Sequence, residues 1–226
     1  MQEAWSDEIA LEGQAAGLGA IARDGLPTAE ALTEYLRENE AELFVRGEDE
    51  IDIAEVMRQA LDHHGVDLTD DDLRLYLTSV HDVWASYYQL AASSHALLEA
   101  LRHRGLKLAL VSNTASPEWL LRPVLERQGL VDRVDAIVLS SEVGKRKPHP
   151  AIFQQALAEL GVEPDAALFV GDRLDTDVVG AAALGIPTVQ ALWFRADDVD
   201  VDVEPDYQAF TQMDVLNVVD RLNGTP

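Results

Sequence analysis

Along the first 90 residues apolar positions fall three and four apart, and after Leu106 they gather into short unbroken runs. The first spacing marks one face of a helix, the second a strand buried on both faces. Leu32, Tyr35, Leu36 and Leu43 keep helical spacing after Pro27-Thr28, and Ile53, Val56, Met57, Ala60 and Leu61 keep it before Gly65. Thr69, with Asp72 three residues on, predicts the start of a third helix striped by Leu73, Tyr76, Leu77, Val80 and Trp84. Ala91-Ala92-Ser93-Ser94 interrupts the pattern, and Ser94 is a candidate N-cap for a helix ending before Gly105. This places a helical domain over residues 1–92 and a second domain over 93–226. In the second, predicted strands at 106–112, 134–139, 167–171 and 186–192 alternate with helices. That alternation predicts an α/β fold: a doubly wound, Rossmann-like parallel sheet with right-handed crossovers. The acidic stretch from Asp197 to Asp206 reads as a surface loop or an edge strand before a closing helix near 213–222.

Chemistry gathers where three of these strands end. Leu168-Phe169-Val170-Gly171 stops at Asp172, and Asp177 follows five residues later, where a helix rich in small residues is predicted to begin. Open α/β sheets place ligands at the carboxyl ends of their strands. Two carboxylates there suit Mg²⁺, which takes one or two and fills its octahedron with waters and substrate phosphate. An acidic turn with a good helix start is the plainer reading. Leu106 to Val111 runs into Ser112-Asn113-Thr114, with Ser116-Pro117 opening a helix as N-cap and first residue. Hydroxyl and amide groups beside helix N–H donors can cradle an oxyanion, or can be ordinary turn chemistry. Val134 to Leu139 leads to Lys145-Arg146-Lys147-Pro148, and this cluster holds two of the chain's three lysines. In a chain of net charge −24, an isolated basic spot before a proline-started helix points to an anion site.

The three stations, in this order, resemble the haloacid dehalogenase superfamily of hydrolases, most of them phosphatases. Ser112-Asn113, Lys147-Pro148-His149-Pro150-Ala151-Ile152-Phe153 and Gly171-Asp172 with Asp177 match its second, third and fourth motifs, across roughly residues 95–192. The resemblance implies that Ser112 and Asn113 bind the transferring phosphoryl group of a small phosphorylated metabolite and that Lys147 neutralises its charge. It further implies that Asp172 ligates Mg²⁺, that Asp177 supports the metal's water shell or Lys147, and that residues 1–92 are a helical cap over the site. Dehalogenation is disfavoured, because relatives with that activity usually lack a metal site of the Asp172/Asp177 kind.

The family's first motif, an apolar strand ending in Asp-x-Asp-x-Thr, supplies the nucleophile and the general acid/base. The chain has no such run. Asp49-Glu50-Ile51-Asp52 has the acids inside a helical pattern, and Asp198-Val199-Asp200-Val201-Asp202 has the spacing but follows the last site. In the family that strand lies between those ending at Ser112 and Asp172, and without it two buried edges show unpaired backbone groups. The expectation is a chain lacking about fifteen residues of a natural protein, one strand and a turn, and inactive as it stands. The alternative is a non-catalytic phosphate-binding or regulatory relative that lost the nucleophile.

Composition narrows the setting. Forty-one acids face 17 bases, 14 of them arginine, and the first 90 residues carry 21 acids against five arginines. An acidic surface almost without lysine points to a salt-adapted protein, with an ordinary acidic protein as the alternative. Such a surface repels nucleic acid and anionic membranes. There is no cysteine, so no disulfide or thiolate site, and no apolar run reaches membrane-spanning length. These features predict a cytoplasmic protein. The six histidines show no ligand spacing, and His63-His64 are expected to point apart without partners.

Overall fold

The computed structural model describes residues 7–44, 47–194 and 201–224, and the chain splits into two compact units. One comprises Met1–Gln89 with Ala115–Val124, the other Leu90–Thr114 with Leu125–Pro226. Ala115–Val124 was expected in the second domain. It belongs to the helical unit because Trp119 and Leu120 pack into that unit's apolar core.

The helical unit is built from α1 (Asp7–Ile21), α2 (Ala29–Glu38), α3 (Glu40–Phe44), α4 (Ile53–His63) and α5 (Asp70–Ser86). Thr28 and Thr69 cap α2 and α5, their hydroxyls accepting from the Ala31 and Asp72 amides. Asp52 caps α4 through the Ala54 and Glu55 amides, so Asp49–Asp52 precedes the helix rather than lying within it. Leu32, Leu61 and Tyr76 are fully buried at the centre, and the Tyr76 hydroxyl donates to Gln14. Close packing of α1 on α5 depends on Gly17, where a Cβ would lie 2.6 Å from the Tyr76 ring and 2.7 Å from Val80. His63 and His64 do not point apart. His63 stacks on Tyr35 at 4.2 Å, and His64 meets the same tyrosine edge-on at 5.7 Å.

The other unit follows the expected alternation: α6 (Ser94–His103), β1 (Ala109–Ser112), then, past α7 (Glu118–Arg127), β2 (Ala136–Leu139), α8 (Ser140–Val143) and α9 (Pro150–Leu160). After these come β3 (Phe169–Gly171), α10 (Val179–Ala182), β4 (Thr188–Ala191), β5 (Tyr207–Ala209) and α11 (Asp214–Leu222). Every strand pairing is parallel: β1 with β2 in one sheet, and β3-β4-β5 in another. Among the described residues no pairing joins β1 to β3. Apolar residues of α9 and α10 form one cluster with Val138, and those of α6 and α11 form another with Val189. Two clusters are what helices on both faces of a doubly wound sheet require. The fold class is therefore α/β with a helical second unit.

Three local readings change. Ser93, not Ser94, occupies the N-cap of α6; the buried Ser94 hydroxyl accepts from Gln212 Nε2 at 2.8 Å. Helix α7 starts at Glu118, and Pro117 stands just before it, its carbonyl accepting from the Leu121 amide. Of the stretch from Asp197 to Asp206, the described residues 201–206 form no strand; β5 begins at Tyr207, where Asp206 takes the Thr188 amide and hydroxyl and fixes β5 beside β4. Asp198 and Asp200 lie outside the described residues. No helix among the described residues is long and apolar enough to cross a membrane.

Candidate active site

Ser112 ends β1, Asp172 directly follows β3, and Lys147 lies in the loop before α9. The polypeptide brings all three together through Asn113, Lys147 and Asp177. Both ends of the Asn113 amide engage the Lys147 backbone: Nδ2 donates to the carbonyl at 3.0 Å, and Oδ1 accepts from the amide at 2.7 Å. From that anchorage the Lys147 side chain, 11% exposed, reaches Asp177 Oδ1 at 2.7 Å and the Val111 carbonyl at 3.2 Å. Its ammonium also sits 5.5 Å from the Phe169 ring centre, within cation–π range. One cation thus touches the carboxyl-terminal end of β1 and the turn that follows β3.

Asp177 is not the first residue of an α-helix, as its spacing suggested. Leu174–Val178 form a π-helical turn, the Val178 amide reaching the Arg173 carbonyl at 3.2 Å, and α10 begins only at Val179. Such wide turns recur at functional sites. This one folds the Asp177 carboxylate back against β3, where Oδ2 accepts from the Arg173 amide at 3.1 Å. The carboxylate fills the space a side chain at 171 would need, since a Cβ there would stand 2.3 Å from Asp177 Oδ2. Gly171 is required by that close approach rather than by its backbone angles.

Asp172 differs from Asp177 in kind. Among the described residues no ion pair engages its carboxylate, which is half-buried, and burial pushes its carboxyl above the usual carboxylate range. The neighbouring Asp177 charge pushes it further up, against a smaller downward pull from Lys147 and Arg173. A half-buried anion beside a second anion is stabilised by a cation, and oxygen donors of this sort fit Mg²⁺. No group of three or more acidic or histidine side chains among the described residues forms a cage, which Mg²⁺ does not need when waters and phosphate complete its shell.

Two contributions were not foreseen. Ser140, fully buried after β2, accepts from the Thr114 amide at 2.7 Å and donates to its carbonyl at 3.2 Å, tying down the loop that leaves Ser112. Its position at the end of a strand, like that of Ser112, was the available signal. Arg173 Nε and Nη2 grip both oxygens of Asp175 at 3.0 and 2.6 Å. His149 caps α9 by accepting from the Ala151 amide.

Serine and aspartate thus stand at the carboxyl ends of parallel strands β1 and β3, with the lysine reaching between them. The chain belongs to the haloacid dehalogenase-like hydrolase family, which it matches over residues 3–185. It is 34% identical over 150 residues to a glyceraldehyde 3-phosphate phosphatase of Methanopyrus kandleri, covering 65% of this chain and 63% of that one. It is 32% identical over 142 residues to a ribulose-1,5-bisphosphate 5-phosphatase of Halopiger xanaduensis, covering 62% of this chain and 57% of that one. The chain thus spans about three fifths of the length of these two relatives. A crystal structure of a phosphatase of the same family from Thermococcus onnurineus shares the fold, with a TM-score of 0.63, 23% identity and coverage of 93% of this chain and 86% of that one.

Proposed function

We propose that the rim formed by Ser112, Lys147 and Asp172 is the phosphoryl-binding site of a Mg²⁺-dependent phosphatase acting on a small phosphorylated metabolite. The observation that carries this is the reach of Lys147 from the end of β1 to Asp177. Named relatives that hydrolyse phosphorylated sugars support the substrate class.

Each residue has a part. The Ser112 hydroxyl donates to a phosphoryl oxygen, and Lys147 Nζ balances the charge that spreads over the transferring group. Asn113 fixes the Lys147 backbone, because its amide is already committed there. Asp177 aims the ammonium. Asp172, which no ion pair engages among the described residues, would hold the Mg²⁺, which would supply further neutralisation of phosphoryl oxygens when bound. The helical unit acts as the cap that selects the metabolite. The acidic, cysteine-free chain suits a salt-rich cytoplasm.

Covalent hydrolysis in this family also needs an aspartate nucleophile on an apolar strand, and no run in the sequence supplies it. The 226-residue chain is therefore expected to bind phosphate without turning it over. An aryl phosphate assay with Mg²⁺ tests this directly: hydrolysis stays at background. Turnover that Asp172→Asn abolishes would show that another acid of this chain serves as nucleophile. In any form that does turn over, Lys147→Ala costs ~10²–10³-fold in rate, as removal of one transition-state charge stabiliser does.

A further inference from the structure

Asp175 stands three residues from the proposed metal ligand Asp172, and each of its oxygens already accepts a bond. Arg173 closes on it as a fork, Nε to Oδ1 at 3.0 Å and Nη2 to Oδ2 at 2.6 Å, across only one intervening residue. The carboxylates of Asp172 and Asp177 act on the same guanidinium. The segment thus crowds three acids and one arginine into six residues, and the arginine side chain spends these directional bonds on Asp175, while Asp177 pairs with Lys147.

The geometry points to a specificity role: Arg173 holds Asp175 away from the cation, so that the site offers few carboxylates and favours Mg²⁺ over Ca²⁺. The inference rests on the reading that Asp172 binds the metal. Mg²⁺ keeps most of its waters and needs one or two carboxylates, whereas Ca²⁺ takes six to eight oxygens and gains from each added carboxylate. A planar bidentate fork restrains a carboxylate in a way a lysine cannot. Release of Asp175 adds a donor and a negative charge while removing a positive one. All of this favours Ca²⁺ more than the smaller, waters-retaining Mg²⁺. Arg173 is a positioning residue here, since it acts through Asp175 and not on the metal.

Calorimetric titration of the 226-residue chain with MgCl₂ and with CaCl₂ tests the proposal without any assay of turnover. Arg173→Gln is expected to tighten Ca²⁺ binding by about tenfold or more while Mg²⁺ affinity moves about threefold at most. Arg173→Gln with Asp175→Asn should return Ca²⁺ binding to the wild-type value, which a merely structural role for the clasp does not explain. Arg173→Lys, which keeps the charge and loses the fork, should lie between wild type and Arg173→Gln. It serves as the folded variant if the glutamine does not fold. Equal shifts for both ions, or Ca²⁺ binding that stays tight in the double variant, would overturn the proposal while leaving Asp172 as ligand. Mg²⁺ binding that is absent in wild type, or unchanged by Asp172→Asn, would overturn the metal reading and this inference with it.

Discussion

Asp172 carries the cost of a site built for a cation. Its folded carboxyl is raised by burial and by Asp177, so the folded state holds the proton more tightly than the unfolded state. Stability from this group is fully present below the unfolded carboxylate range and is lost as pH rises through the folded value. Asp172→Asn should therefore raise the melting temperature of the metal-free protein at neutral pH, with the gain shrinking as pH falls to about 4. Thermal melts across that range check it, and a pH-independent gain would contradict the electrostatic cause. Asn113→Ala removes two bonds to the Lys147 backbone and leaves that amide and carbonyl without them. It should cost about 1–3 kcal/mol in urea unfolding. Ser112, Lys147, Asp172 and Asp177 stand out as candidates in the sequence because strand ends and an isolated basic cluster mark them in one dimension. The direction of the Asn113 amide is not legible there, since it depends on a partner 34 residues away.

At the level of elements, the helical stripes and the four expected strands were readable because periodicity records which faces are buried. Strand β5 was not, being three residues long and fixed by the Asp206–Thr188 contact rather than by its own pattern. The π-helical turn was also hidden, for its amides and the backward fold of Asp177 depend on the space left at Gly171. Helix α1 gives a sharper test of packing against propensity. Alanine favours a helix over glycine by about 0.8–1 kcal/mol, but at 17 its Cβ would press into Tyr76 and Val80. Gly17→Ala is expected to destabilise by about 1–3 kcal/mol, the usual range for overpacking. At Gly19, where a Cβ meets nothing within 4 Å, the same change should stabilise by about 0.5–1 kcal/mol. Chemical denaturation of the two variants compares the signs, and equal effects would show that α1 is not packed through Gly17.

Over the whole molecule, a net charge of −24 sets the response to salt. The ion pairs in the helical unit, such as Arg37–Asp7 and Arg58–Asp70, are exposed and contribute little. Self-repulsion is then the dominant electrostatic effect. Raising KCl from about 0.1 M to 1 M shortens the screening length from ~10 Å to ~3 Å. The melting temperature should rise steeply over that range, and a flat response would rule out salt adaptation. The central claim concerns one rim, with Lys147 gripping phosphate and Asp172 holding Mg²⁺. Calorimetric titration of the chain with inorganic phosphate, with and without MgCl₂, addresses both ligands in one measurement. The account predicts phosphate binding that requires Mg²⁺ and is lost in Lys147→Ala and in Asp172→Asn. Phosphate binding of equal strength without Mg²⁺, or undiminished in Lys147→Ala, would contradict it.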